Sequence, residues 1–196
     1  MNLAENIDEK LFLKLNGVHS ATLDYFMTLA SNLFFCIPVL FLVGFVATRH
    51  FKKQNEYPVA NSLLLIFVLL LEFVFCLEIV PDIFSSFLQR ERPCLNPNIS
   101  ALVRLVGEDC NSGYSFFALR PFIMFFITSF LFFSIRKELP IIKWLLVIWS
   151  VIVSYSRIYL GAHYPFNVVV ADLAGIAVGF IGSRVYLYLK YKVLVL

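Results

Sequence analysis

The residues best suited to chemistry lie in one short polar stretch, residues 156–167, between two strongly apolar segments. The stretch reads Ser-Arg-Ile-Tyr-Leu-Gly-Ala-His-Tyr-Pro-Phe-Asn. His163 follows Arg157 by six residues and is the only one of the three histidines near a concentration of arginines. An imidazole can attack an electrophilic atom or accept a proton. A guanidinium binds anionic oxygens through two parallel N–H donors. The spacing therefore suggests a nucleophile or base beside an anion clamp.

The elements that must position this stretch are apolar, and the composition predicts one membrane domain over residues 1–196. The chain is 60% hydrophobic with a mean hydropathy of +0.83, whereas a soluble domain is roughly half apolar. The net charge of +3 shows no basic face, so we expect no nucleic-acid partner. The N-terminus is acidic and interrupted by charges, so a cleavable signal peptide is not expected either.

Apolar runs predict an all-α membrane protein with about five transmembrane helices in one bundle, because each run is long enough to cross the hydrocarbon core. The runs are residues 27–48, 59–80, 116–135, 141–158 and 168–189. A shorter segment, residues 6–16, predicts an N-terminal amphipathic helix in the membrane interface. Its apolar residues Ile7, Leu11 and Leu15 recur every four positions, and it is too short to span.

The distribution of lysine and arginine predicts the orientation of these helices. With five spans, most basic residues near the helix ends fall on one side, which the positive-inside rule makes cytoplasmic. They are Arg49, Lys52, Lys53, Arg136, Lys137, Lys190 and Lys192. The C-terminus is then cytoplasmic. The polar segment of residues 82–115 shares the opposite face with the stretch around His163, although three arginines of that segment also lie there.

Four ionisable residues interrupt the apolar runs: Glu72, Glu78, Arg120 and Asp172. An unpaired charge at membrane depth costs at least a few kcal/mol, so we expect these side chains to point into the bundle. Two interpretations stay open. In one, Arg120 pairs with Asp172 or Glu72. In the other, the four side chains line a polar pocket that opens to the outer face.

The four cysteines divide into two groups. Cys36 and Cys76 lie within apolar runs, where we expect them to pack as small core residues. Cys94 and Cys110 both lie in the outer polar segment. In an oxidising compartment they would form a disulfide that braces this segment, and the alternative is two free thiols. The chain has no CxxC motif and no His/Cys cluster, so we expect no metal site and no cofactor.

The polar stretch also matches a known signature, Ser-Arg-x5-His-x3-Asp. Ser156, Arg157 and His163 stand at the required spacing, and Asn167 replaces the closing aspartate. In this respect the chain resembles the type 2 phosphatidic acid phosphatase superfamily, the integral-membrane lipid phosphate phosphatases. The resemblance extends over nearly the whole chain.

The other two signatures of that superfamily are less complete. Lys-x6-Arg-Pro is half present, because Arg92-Pro93 is preserved and Ser85 stands at the lysine position. Pro-Ser-Gly-His allows two alignments. An alignment that keeps the two outer cysteines and Phe116 in register puts Ala118 on the serine and Arg120 on the histidine. The other, through residues 111–114, puts a tyrosine on the histidine. We prefer the first.

The resemblance implies a role for each position. His163 would attack phosphorus, and the residue at Asn167 would orient its ring. The residue at Arg120 would protonate the leaving group, which a guanidinium cannot do because it does not lose its proton. The resemblance assigns the phosphate oxygens to Ser85, Arg92, Arg120 and Arg157.

The sequence is compatible with three functions. The first is binding of a lipid phosphate or diphosphate headgroup at a periplasmic face, with catalysis lost or strongly impaired. The second is an active lipid phosphate or diphosphate phosphatase with His163 as nucleophile. The third is a structural subunit with a protein partner in a larger membrane complex. The resemblance favours a bacterial inner membrane.

Overall fold

The computed structural model describes residues 3–32, 58–87, 90–107, 117–135 and 140–194. Within these ranges, every regular secondary-structure element longer than one residue is a helix. The helices are α1 (Leu3–Asn16), α2 (Ala21–Ser31), α3 (Pro58–Phe87), α4 (Leu119–Ser134), α5 (Pro140–Tyr159) and α6 (Pro165–Leu194), with a 3-10 turn at Ser100–Leu102. The all-α prediction is confirmed.

Two of the described helices, α5 and α6, are long and apolar enough to cross a bilayer, and α3 and α4 contain shorter apolar stretches. Large apolar side chains are exposed along α3, α5 and α6, for example Phe67, Trp144 and Leu173. Such faces suit contact with lipid chains. Most of the predicted run at residues 27–48 lies outside the described residues, so the number of spans stays a prediction.

The core forms where α4 packs against α6. Phe122, Phe126 and Phe130 recur every four residues along one face of α4 and are fully buried. On α6, Gly175 leaves the space that a side chain would fill, since a Cβ there would lie 2.5 Å from the carbonyl oxygen of Phe122. Small residues at a helix crossing let two backbones approach closely. This contact fixes α6, whose N-terminal end carries part of the polar stretch, against α4.

The predicted amphipathic helix is present as α1, and it also packs against the rest of the protein. Ile7 and Leu11 are exposed, as an interfacial helix requires. The opposite face carries Asp8, Phe12 and Asn16, which are buried. α1 is therefore part of the fold as well as a candidate membrane-contacting element.

The end of the second apolar run differs from the sequence-based expectation. The polar segment was predicted to begin just after Pro81, whereas α3 continues through that residue to Phe87. A proline removes one helical hydrogen bond and tends to kink a helix. Here the residues on both sides of Pro81 are helical, so the helix continues through the proline. The polar outer segment thus begins after α3 ends.

Candidate active site

The corner between α5 and α6 fixes His163 relative to Arg157. The carbonyl oxygen of Arg157 accepts hydrogen bonds from the backbone N–H of Ala162 at 3.0 Å and of His163 at 3.2 Å. These bonds fold the chain back over the last turn of α5. Arg157 and His163 are both buried, so the nucleophile candidate and its neighbouring cation share one protected position.

Gly161 makes this turn possible. Its φ angle is +84°, in the left-handed region that favours glycine. A Cβ on Gly161 would lie 2.7 Å from the carbonyl oxygen of Arg104. The backbone N–H of Val106 donates to the carbonyl oxygen of Leu160 at 3.3 Å. The outer segment therefore packs directly on the turn that carries His163.

Asn167 lies in the first turn of α6, four residues after His163, and is completely buried. Pro165 begins this helix, a position where the missing N–H of proline costs nothing. The next backbone N–H, that of Phe166, donates to Asp8 Oδ1 at 2.9 Å. α1 thus supplies a carboxylate to the positive end of α6.

Tyr164 attaches the outer segment to the residue next to His163. The guanidinium of Arg90 lies 3.6 Å from the centre of the Tyr164 ring and forms an ion pair with Asp8 at 2.5 Å. Asn96 Nδ2 donates to the hydroxyl of Tyr164 at 3.0 Å. Burial raises the pKa of that hydroxyl. Arg90 is therefore engaged in packing the corner.

Arg92 lies two residues further along this segment. Its carbonyl oxygen accepts from the N–H groups of Leu95 at 2.9 Å and Asn96 at 3.1 Å, which makes a tight turn. Its Nε is buried and has no hydrogen-bond partner among the residues that the structure describes. A buried donor left unmatched is costly, so this N–H is a candidate donor to an anionic ligand.

Arg120 and Arg157 meet at Ser31, the last residue of α2. Arg120 Nη1 donates to Ser31 Oγ at 2.8 Å and to the Ser31 carbonyl oxygen at 3.0 Å. Arg157 Nη1 donates to the same Oγ at 2.5 Å. The structure therefore brings Arg120 and Arg157 together at one hydroxyl oxygen. Sequence reasoning missed Ser31, because nothing in its local pattern marks it.

A second polar connection braces α2 near this point. Arg104 forms a bidentate ion pair with Asp24, and the hydroxyl of Tyr159 donates to Asp24 Oδ1 at 2.6 Å. These hydrogen bonds, from Arg104 first and Tyr159 second, lower the pKa of Asp24 to about 2. Asn16 donates to the carbonyl oxygens of Arg104 at 2.9 Å and Tyr159 at 2.8 Å.

The remaining predicted residues fall in different places. Ser85 lies in the last part of α3, and its side chain is outside the described residues. Cys94 is disulfide-bonded, while its predicted partner Cys110 lies outside the description. Asp172, which is partly buried, accepts a hydrogen bond from Ser154 at 2.8 Å.

Glu72 and Glu78 are the two ionisable residues within α3 that the sequence singled out. The carboxylate of Glu72 lies directly against Gly182 of α6, in space that a larger residue there would need. The side chain of Glu78 is outside the described residues. Within the described residues, no group of three or more His, Cys, Asp or Glu side chains could hold a metal ion.

Comparison with known proteins places this arrangement in a family. The family model of the PAP2 superfamily matches residues 61–191. The chain belongs to the PAP2 superfamily. The matched region contains all three predicted signature segments, so the resemblance drawn from the sequence is confirmed, and this PAP2 protein is an all-α integral membrane protein.

Two curated relatives are similar over most of the chain. A lipid A 4'-phosphatase of Bacteroides thetaiotaomicron is 29% identical over 197 residues, which cover 95% of this chain and 78% of the relative. A lipid A 4'-phosphatase of Porphyromonas gingivalis is 30% identical over 188 residues, which cover 95% and 75% respectively.

Two solved structures share the fold. Aquifex aeolicus LpxE superposes with a TM-score of 0.60 at 24% identity, covering 89% of this chain and 93% of that one. A PAP2-type phosphatidylglycerolphosphate phosphatase from Bacillus subtilis gives a TM-score of 0.62 at 19% identity, covering 98% and 89%. At these identities the superpositions describe the architecture alone.

Proposed function

We propose that this PAP2 protein binds the phosphate or diphosphate headgroup of a membrane lipid at the periplasmic face and hydrolyses it very slowly or not at all. The observation that carries the proposal is Arg120. Our alignment places it at the acid histidine of the family, and its guanidinium is bound to Ser31. A guanidinium holds its proton at any useful pH, so it binds an anion and cannot protonate a leaving group.

Binding is supported by the positive charge gathered near the corner. Arg120 and Arg157 share one hydroxyl oxygen, and Arg92 keeps a buried Nε donor. Planar guanidinium groups bind phosphate oxygens through two parallel hydrogen bonds, which adds geometric selectivity to charge. These three residues would hold the phosphoryl group.

Impaired catalysis is supported by the residues at two family positions, Arg120 in place of the acid histidine and Asn167 in place of the orienting aspartate. Loss of a general acid costs about 100- to 10,000-fold in rate. Asn167 replaces a carboxylate behind the nucleophile, and the same exchange in a serine protease lowers kcat about 10,000-fold because the histidine takes the wrong tautomer. The two costs need not multiply, since residues that act as a unit are non-additive. Either one makes turnover marginal.

A second candidate is an active phosphatase, and the curated relatives favour it. Both are lipid A 4'-phosphatases, and this chain keeps His163 with Arg157 at the family spacing. Here His163 would attack phosphorus while Arg92 and Arg157 stabilise the charge on the equatorial oxygens. A diphosphate substrate suits this site better than a monoester, because a departing phosphate needs no proton from the protein.

A binding measurement distinguishes the role of the arginines, which would hold the phosphate, from that of His163, which would attack it. We would measure the affinity of the purified protein in nanodiscs for lipid A carrying a 4'-phosphate, with dephosphorylated lipid A as the control. The proposal predicts binding that survives His163→Ala and falls at least tenfold in Arg92→Ala. Arg104→Ala, which removes an arginine paired with Asp24, is the matched control. Equal affinity for the phosphorylated and dephosphorylated lipids would overturn the proposal.

A further inference from the structure

Ser31 occupies a position that none of the three family signatures includes. It is the last residue of α2, and it is almost completely buried. Its hydroxyl oxygen accepts hydrogen bonds from Arg157 at 2.5 Å and from Arg120 at 2.8 Å. Two guanidinium groups from two different helices, α4 and α5, therefore share one neutral oxygen.

A serine hydroxyl has two acceptor lone pairs, and these two arginines use both. The oxygen of a phosphate can accept the same two hydrogen bonds. It also carries negative charge, so its hydrogen bonds with guanidinium are roughly twice as strong as those of a neutral oxygen. Two cations held close together gain more from an anion between them than from a hydroxyl. Exchange of the hydroxyl for a phosphate oxygen is thus favourable.

The carbonyl oxygen of Ser31 strengthens the contact with Arg120. It is one of the last four carbonyls of α2, which have no partner within the helix, and it accepts from Arg120 Nη1 at 3.0 Å. The C-terminal end of a helix carries partial negative charge, which attracts a guanidinium. Arg120 and Arg157 therefore attach the end of α2 to α4 and α5.

We propose that Ser31 is a built-in competitor of the phosphate ligand. Its hydroxyl accepts from one N–H donor of Arg120 and one of Arg157, and a phosphate oxygen displaces it on binding. This inference rests on the proposed phosphate-binding function. Ser31 thereby lowers the affinity of the site for phosphate, and binding releases the Ser31 hydroxyl from the two arginines.

The decisive variant is Ser31→Ala, which removes the competitor and keeps both arginines. Binding of short-chain phosphatidic acid to the full-length protein in detergent would be measured by isothermal titration calorimetry, with inorganic phosphate as a second arm. Tighter binding of the lipid than of free phosphate identifies the headgroup as the source of the anion. We expect the Kd for phosphatidic acid to fall about tenfold, the effect of losing one competing hydrogen bond to a charged group.

Ser129→Ala is the matched control. Ser129 is a buried serine on α4 whose hydroxyl donates to the carbonyl oxygen of Ile176 at 2.8 Å, so its loss removes a buried hydroxyl that is hydrogen-bonded to the backbone of α6. Its Kd should equal that of the wild type. A Ser31→Ala protein that binds phosphatidic acid equally or more weakly than the wild type would overturn the competitor role, because a serine that orients the arginines gives that result.

The melting temperature, measured with and without ligand, provides a second test. In the empty protein, Ser31→Ala should lower the melting temperature, and saturating phosphatidic acid should abolish the difference from wild type. A melting difference that persists at saturation contradicts displacement. Absence of binding in both wild type and Ser31→Ala is a different outcome, because it overturns the proposed phosphate-binding function itself.

Discussion

Arg120 carries a permanent positive charge at the position that our alignment gives to the acid histidine of the family. The guanidinium of Arg120 donates hydrogen bonds to Ser31 and thereby attaches the end of α2 to α4. Asn167 and Ser85 are the other two residues that differ from the family signatures. The alignment to the family signatures assigns all three positions from the sequence. The partner of Arg120 could not be predicted in this way, because Ser31 lies 89 residues away in sequence.

Restoring the family residues tests whether these substitutions limit the chemistry. The triple variant Ser85→Lys, Arg120→His, Asn167→Asp should raise phosphate release from a lipid phosphate at least 100-fold, because it restores the acid and the orienting carboxylate. Release would be compared in the same preparation with Arg120→His alone, which should gain less. A triple variant that releases no more phosphate than the wild type would mean that the alignment on Arg120 is wrong.

The Asp24–Arg104 pair gives the protein a defined acid sensitivity. The pKa of Asp24 is lowered from 3.8 to about 2, so its contribution to stability is fully present above pH 3.8 and is lost as the pH falls through 2. The melting temperature of the wild type should therefore decline more between pH 4 and pH 2 than that of Asp24→Asn. Parallel declines of the two proteins would show that the pair does not stabilise the fold.

At the scale of elements, α1 is held by contacts that its sequence pattern does not show. The recurrence of Ile7 and Leu11 predicted the helix, and those side chains are exposed. The docked face instead carries Asp8, which joins Arg90 to the backbone N–H of Phe166. A pattern of apolar residues identifies a helix and one of its faces. It does not reveal a charge whose partners lie at distant positions.

Removal of the Asp8 side chain should therefore be costly. Asp8→Ala removes the ion pair with Arg90 and the hydrogen bond to α6, and it leaves Arg90 half-buried without its partner. We expect the free energy of unfolding to fall by about 1–3 kcal/mol. Lys10→Ala, a change on the exposed side of the same helix, is the control. Equal stability of the two variants in a denaturant titration would show that α1 docks through other contacts.

Cys94, in residues 90–107 of the polar segment, is disulfide-bonded. We predict that its partner is Cys110, the other cysteine of the polar segment. Peptide mapping by mass spectrometry under non-reducing conditions should recover a crosslinked pair of peptides that contain these two residues. Recovery of Cys110 as an alkylated free thiol would refute the pairing. Because the segment packs on the His163 turn, reduction should also weaken phosphate binding.

For the whole molecule, the sequence predicted the class and the family well. Four of the five apolar runs overlap the described helices α3 to α6, and the spacing of Ser156, Arg157 and His163 indicated the superfamily that the comparisons confirm. Both kinds of signal are local in the chain. The extension of α3 past Pro81, the docking of α1 and the role of Ser31 all depend on contacts between distant segments, which composition and periodicity do not encode.

The most direct test of the whole account is the rate of phosphate release by the wild-type protein relative to His163→Ala. Purified proteins in nanodiscs would be incubated with lipid A carrying a 4'-phosphate and with a polyprenyl diphosphate, and free phosphate would be measured over time. Our account predicts that both proteins bind the phosphorylated lipid and that the wild type releases phosphate less than about tenfold faster than His163→Ala. Release by the wild type that exceeds His163→Ala about tenfold or more would contradict it, and would show that His163 works as a nucleophile despite Arg120 and Asn167.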